Sequence, residues 1–183
     1  DNFLGELLDS ILNQTYQNFE VCLADGSEGG KDKEEFIKKY IEEKSAQNKI
    51  KYKKLGKNLG IAGNTNEALK MATGDYIVLA DHDDVITPNA LYECAKAINE
   101  TKCDCMYSDE DKLDMDGGSL FDPHFKPDFN IDMLESVNYI CHLFVVKKEL
   151  VDIAGMFDAA YDGAQDYDFI FRVSENAKKI VHI

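Results

Sequence analysis

Between Gly74 and Asp84 the sequence reads GDYIVLADHDD, a short apolar run that ends abruptly in the carboxylates Asp81, Asp83 and Asp84. A run of this length suits a buried strand. In α/β sheets, charged groups at the carboxyl ends of such strands line the edge where ligands bind. This stretch therefore predicts an α/β domain and places a candidate active site at the strand's acidic end.

At 183 residues the chain is long enough for one substantial core and short for a second, so residues 1–183 are expected to form a single domain. Its 35 acidic and 20 basic residues give a formal charge of −15, which repels nucleic acid and anionic membrane surfaces. A phosphorylated substrate would need a bound cation to approach. No apolar run approaches the length of a spanning helix, and no signal peptide is visible. The cysteines Cys22, Cys94, Cys103, Cys105 and Cys141 are odd in number and lack CxxC spacing, as expected of reduced, mostly buried thiols in a cytoplasmic protein.

Strands and helices alternate along the chain. An amphipathic helix is predicted from Phe3 to Gln14, then a strand from Phe19 to Ala24 that ends at Asp25-Gly26-Ser27, with a further bend at Gly29-Gly30. A charged helix from Asp32 to Lys44 and a strand from Ile50 to Leu55 follow. Residues Lys57 to Gly63 read as a glycine-loosened loop, with a helix from Asn64 to Met71. After the strand at Tyr76 to Ala80, Thr87-Pro88 is an N-cap and first-turn signal for a helix through Ile98. A strand is expected at Asp104 to Ser108, a turn at Asp116-Gly117-Gly118 and irregular chain from Pro123 to Asn130. Beyond these come a helix at Ile131 to Ser136, a buried strand at Ile140 to Val146, a short helix ending at Gly155, a helix from Gln165 to Asn176 and a last strand at the carboxyl end. The alternation, without repeats, predicts helices flanking a mixed, mostly parallel sheet.

Asp81 and Asp83, separated by one residue and with no lysine or arginine within the cluster, can share Mg²⁺ or Mn²⁺. The competing reading is acid at a helix start, favoured by the helix dipole, and the residues alone leave both open. A calcium loop of EF-hand type is excluded: the required glycine and glutamate positions fall on Ile86 and Tyr92 counted from Asp81, and on Asp114 and Leu120 counted from Asp109. Gly60 and Gly63 permit close approach of a diphosphate or ordinary loop flexibility, and neither a Walker lysine pattern nor GxGxxG follows a strand. Asp25 is a base-binding acid or a turn former, and Asp166 a general base or a helix-start acid. The four histidines are scattered and read as structural, His142 within an apolar strand; His182 has a lesser claim as a metal ligand.

Taken in order, SILNQTYQNFEV with ADGS, KNLGIAGNTNEAL, GDYIVLADHDD with Thr87-Pro88, and GAQDYDF resemble the family 2 glycosyltransferases, which have the GT-A fold. YSDEDKLD, DPHFKPDFN and NYICHLFVVKKEL are similar to bacterial members that build O-antigen, rhamnan and other surface polysaccharides. The resemblance implies a metal-dependent, inverting transfer of a sugar from a UDP- or dTDP-sugar donor to a hydroxyl of a glycan or lipid-linked acceptor. By position it implies that Asp25, Asn58, Gly60 and Asp81 bind the nucleotide sugar, that Asp81 and Asp83 form the DXD metal element with Mn²⁺ or Mg²⁺, and that Asp166 is the base.

Departures from the family pattern are Gln165, where a glutamate usually precedes the base, and Ala24, where a second aspartate usually precedes Asp25. The family's opening strand, ending near Pro-x-Tyr-Asn, and its later metal-site histidine are not matched. A chain truncated at both ends, lacking its first strand and weakly active, is therefore the expectation, from a full-length protein that is cytoplasmic or peripheral at the inner membrane face. The alternatives are a non-catalytic nucleotide- or glycan-binding remnant of the same fold and a metal-dependent phosphohydrolase.

Overall fold

The computed structural model describes residues 2–28, 31–114 and 119–183; the expected bends at Gly29-Gly30 and Asp116-Gly117-Gly118 lie outside them. Helices α1 (Asn2–Leu12) and α2 (Lys31–Glu43) form where apolar side chains recur at helical spacing. They bury Leu8 and Tyr40 against Ala46 and Ile50 in a small separate core. Strands β1 (Val21–Asp25) and β2 (Ile50–Lys54) pair in parallel, with Asp25 opposite Lys54 at the carboxyl ends.

The main sheet has the order β3 (Tyr76–Leu79), β7 (Phe144–Lys147), β4 (Cys105–Tyr107), β8 (Ile180–His182). β7 runs antiparallel to both β3 and β4, while β4 and β8 are parallel. Three of the four strands therefore share a direction, and β7 is the reversed one: a mixed sheet, mostly parallel in strand sense. Helices α3 (Gly60–Leu69), α4 (Ala90–Thr101), α5 (Ile131–Ser136), α6 (Lys148–Ala154) and α7 (Gln165–Asn176) complete the α/β arrangement. The principal core gathers Tyr107, Phe144, Val146, Phe169 and Val173, and Phe157 stacks on Phe169 with ring centroids 4.4 Å apart. Cys94, Cys103 and Cys105 are buried free thiols. No helix among the described residues is long and apolar enough to cross a membrane.

Four local expectations are corrected. α3 begins at Gly60, not Asn64, because the carboxylate of Asp162 accepts the Ala62 N–H at 2.9 Å and completes the first turn from outside it. Thr87 is not the side-chain cap of α4. Instead buried Gln14, at the end of α1, accepts from Leu91 N at 2.9 Å and donates to Thr87 O at 2.7 Å. The strand expected from Ile140 starts only at Phe144, since the carbonyls of Ile140 and His142 accept from Lys126 rather than from a neighbouring strand. Finally, the irregular stretch after Pro123 overlaps an antiparallel hairpin of β5 (Glu110–Leu113) and β6 (Leu120–His124), whose exposed strands lack the in-out alternation that betrays a half-buried strand.

Candidate active site

Asp25 is the last residue of β1, and the turn after it folds back so that Oδ1 accepts from Ser27 N at 2.8 Å and Ser27 Oγ at 2.5 Å. Oδ2 accepts from Tyr52 Oη and Lys54 Nζ, each at 2.9 Å. All four acceptor positions of the carboxylate are thus occupied by the protein. Burial alone would push its pKa up, but the bonds from Ser27, Lys54 and Tyr52 outweigh it and hold the group at about 2. Asp25 is therefore a fixed negative charge.

Gly26 lets the next loop approach closely. A Cβ there would stand 2.5 Å from the Asn64 side chain, whose amide donates to Asn58 Oδ1 at 3.0 Å and accepts from Leu59 N at 3.1 Å. Asn58 Oδ1 also accepts from Gly60 N at 3.0 Å. Asp25, Asn58 and Gly60 are brought to one place, with Asn64 as the link that the motif reading had not singled out. Gly60 adopts φ +79°, and a Cβ there would meet Asp162 Oδ2 at 2.4 Å. Asn66 then makes two bonds to the backbone of Phe157, at 2.8 and 2.9 Å, so the chain leading to α7 is docked along α3.

Beyond β3, Asp84 N donates to Asp81 O at 3.2 Å, a turn that sets these two residues together. The β3–β7 ladder ends at the pair Leu79–Phe144, two residues before Asp81 on one chain and two residues after His142 on the other. His142 Nε2 lies 3.6 Å from Asp81 Oδ2, and Nδ1 lies 3.9 Å from Asp84 Oδ2. One ligand atom from each of the three residues falls within 4.8 Å of the others. His142 Nδ1 is buried without a hydrogen-bond partner. Burial raises the Asp84 pKa; His142 opposes this, but Asp81 and Asp83 reinforce it and the net shift is upward. An orphaned imidazole nitrogen beside two mutually repelling carboxylates is an arrangement that a divalent cation would satisfy, and an O,O,N donor set suits Mn²⁺ better than Mg²⁺. Asp83 lies outside this group, with its side chain exposed and 3.8 Å from His82.

Asp166 is the second residue of α7, and Asn138 Nδ2 approaches its Oδ2 at 3.3 Å, orienting the carboxylate. Gln165 Oε1 accepts from Gly163 N at 2.7 Å and so shapes the turn into the helix. Asp168 holds Arg172, which reaches the carbonyls of Gly155 and Met156 and ties α7 to the end of α6. His182 is occupied elsewhere, 2.7 Å from Asp109 and stacked on Tyr107.

The model of glycosyl transferase family 2 matches residues 1–152, a span that contains Asp25, Asn58, Gly60, Asp81 and His142. The chain belongs to glycosyl transferase family 2. The O-antigen biosynthesis protein RfbC of Myxococcus xanthus is 32% identical to this family 2 chain over 182 residues, which are 99% of the chain and 14% of that protein. S. aureus TarS 1-349, solved in complex with UDP-GlcNAc, superposes with a TM-score of 0.78 at 23% identity, covering 100% of this chain and 52% of that one. The mannosyltransferase PcManGT of Pyrobaculum calidifontis, solved with GDP-Man and Mn²⁺, superposes with a TM-score of 0.72 at 18% identity, covering 100% and 51%. These likenesses establish the GT-A fold. The family 2 chain spans 14 to 20% of the length of the first curated relatives it matches.

Within the family 2 chain, His142 and Asp84 are the candidate metal-site residues that the motif resemblance did not assign. Both carried a signal of sorts: Asp84 adjoins the DXD element, and His142 is a polar residue inside an apolar run. Only the tertiary structure shows that the two meet.

Proposed function

We propose that this chain is the donor-binding and catalytic domain of a metal-dependent inverting glycosyltransferase, using a nucleoside diphosphate sugar to extend a glycan or lipid-linked acceptor in surface polysaccharide synthesis. The observation that carries the reading is the meeting of Asp81, Asp84 and His142 at the end of β3. A relative named for O-antigen biosynthesis and fold neighbours solved with UDP-GlcNAc or with GDP-Man and Mn²⁺ support it.

In this reading Asp25 binds the nucleobase edge, exchanging one of its Ser27 or Lys54 contacts, and the Asn58–Gly60 loop lines the nucleotide. Asp81, Asp84 and His142 would hold the cation, and Asp83, the other carboxylate of the DXD element, is exposed beside them in sequence. A bound Mn²⁺ or Mg²⁺ supplies positive charge to the departing diphosphate. Asp166, oriented by Asn138, takes the proton of the acceptor hydroxyl. The acceptor oxygen bonds to the anomeric carbon as the sugar–phosphate bond breaks, which inverts the configuration there.

The test is a panel of UDP- and dTDP-sugars with and without Mn²⁺, run on full-length wild type and Asp166→Asn. Transfer should require the ion and fall about 10²- to 10⁴-fold in the variant, while donor affinity holds. Donor binding without transfer or hydrolysis in the wild type would favour a non-catalytic binding domain, and an active Asp166→Asn would remove the base from the mechanism.

A further inference from the structure

The side chain of Lys126 is wholly buried, an expensive place for an ammonium group. All three of its donors are used: Nζ meets Glu110 Oε2 at 3.1 Å, Ile140 O at 2.7 Å and His142 O at 2.5 Å. Glu110 Oε2 also accepts from His142 N at 3.2 Å, and Oε1 contacts His124 at 3.2 Å. Both the N–H and the C=O of His142 are therefore gripped by one ion pair, its lysine wholly buried and its glutamate partly exposed.

The gripped segment lies outside the β7 ladder. Asn138 at its start contacts Asp166, and His142 at its end faces Asp81 and Asp84. Between them Cys141 has φ +38°, in the left-handed region that a residue with a side chain adopts only when its surroundings hold it there. A hydrophobic pair could have filled the same volume at lower desolvation cost, but it would have left the carbonyls of Ile140 and His142 and the His142 N–H without partners.

We propose that Lys126 and Glu110 are positioning residues that set the His142 imidazole against Asp81 and Asp84 and thereby tune the affinity of this corner for a divalent cation. The second half of the statement rests on the metal reading given above; the first does not.

Full-length Glu110→Gln, which keeps the side chain's shape and one acceptor, and Lys126→Met are compared with wild type by two measurements on folded protein. In the metal-free protein, the rate of diethyl pyrocarbonate modification at His142 is followed by mass spectrometry, with exposed His82 as internal reference. It should rise relative to His82 in both variants. Mn²⁺ affinity, read by titration, should fall about 10- to 100-fold, as for other residues that orient a metal ligand.

An unchanged His142-to-His82 rate ratio in folded Glu110→Gln overturns the positioning role, whether or not the protein binds metal. A raised ratio with unchanged Mn²⁺ affinity overturns the tuning role. His142→Ala separates this from failure of the metal reading: if wild type and His142→Ala bind Mn²⁺ equally, His142 is not a ligand, and the rate ratio still decides whether the ion pair positions it.

Discussion

Replacing Gly60 by alanine should disturb α3 in two coupled ways. The φ of +79° costs an alanine about 1–2 kcal/mol relative to glycine. The new Cβ would also stand 2.4 Å from Asp162 Oδ2, so the carboxylate must leave and its bond to Ala62 N is lost. Loss of that helix-start acceptor costs about 1 kcal/mol more. Gly60→Ala alone should therefore destabilise by about 2–3 kcal/mol. Asp162→Ala alone should cost about 1 kcal/mol.

The double variant decides the matter. With Asp162 already removed, alanine at position 60 meets no carboxylate and only the backbone term remains. The double variant should then be about 1 kcal/mol more stable than the sum of the single changes implies. Urea unfolding of the four proteins measures this directly, and for a chain of this size each kcal/mol also moves Tm by about 2–4 °C. Strict additivity would refute the argument, since it would mean that Gly60 and Asp162 do not compete for the same space. The single Gly60 variant should also bind donor more weakly, because the loop it distorts is the proposed nucleotide wall.

Asp25 makes stability depend on pH with a definite sign. Its folded-state pKa of about 2 lies below the ordinary 3.8, so the contribution is fully present above the ordinary value and is lost as the pH falls through the folded one. Relative to Asp25→Asn, wild type should lose about 2 kcal/mol across that interval, and parallel stability curves for the two proteins would contradict it. Gln14→Ala should cost about 2–4 kcal/mol, because it strips the partner from Leu91 N, removes one of two from Thr87 O and leaves a cavity between the end of α1 and the start of α4. A loss below about 0.5 kcal/mol in denaturant unfolding, the range of ordinary surface substitutions, would show that water replaces the amide.

What could be read from the residues alone is what local chemistry decides. The apolar spacing from Gln165 to Asn176 defines α7 to the residue, and the short apolar runs locate β2, β3 and β8 within a residue or so. Acid at the ends of β1 and β3 marks the edge that carries the candidate site. Each of these signals lies within a few positions of the element it describes.

The remaining features depend on partners distant in sequence. The starts of α3 and α4 are completed by Asp162 and Gln14, 100 and 77 positions from the groups they bond, so no local cap signal could reveal them. Ile140 to Leu143 is as apolar as a strand, but Lys126 and Glu110 hold its backbone outside the ladder. Asp81 lies in the stretch that most constrained the fold, and it meets His142 through the pairing of β3 with β7 and the hold of Lys126 and Glu110 on the segment that carries the imidazole. A different register would move His142 away from the acids and leave the local sequence signals unchanged.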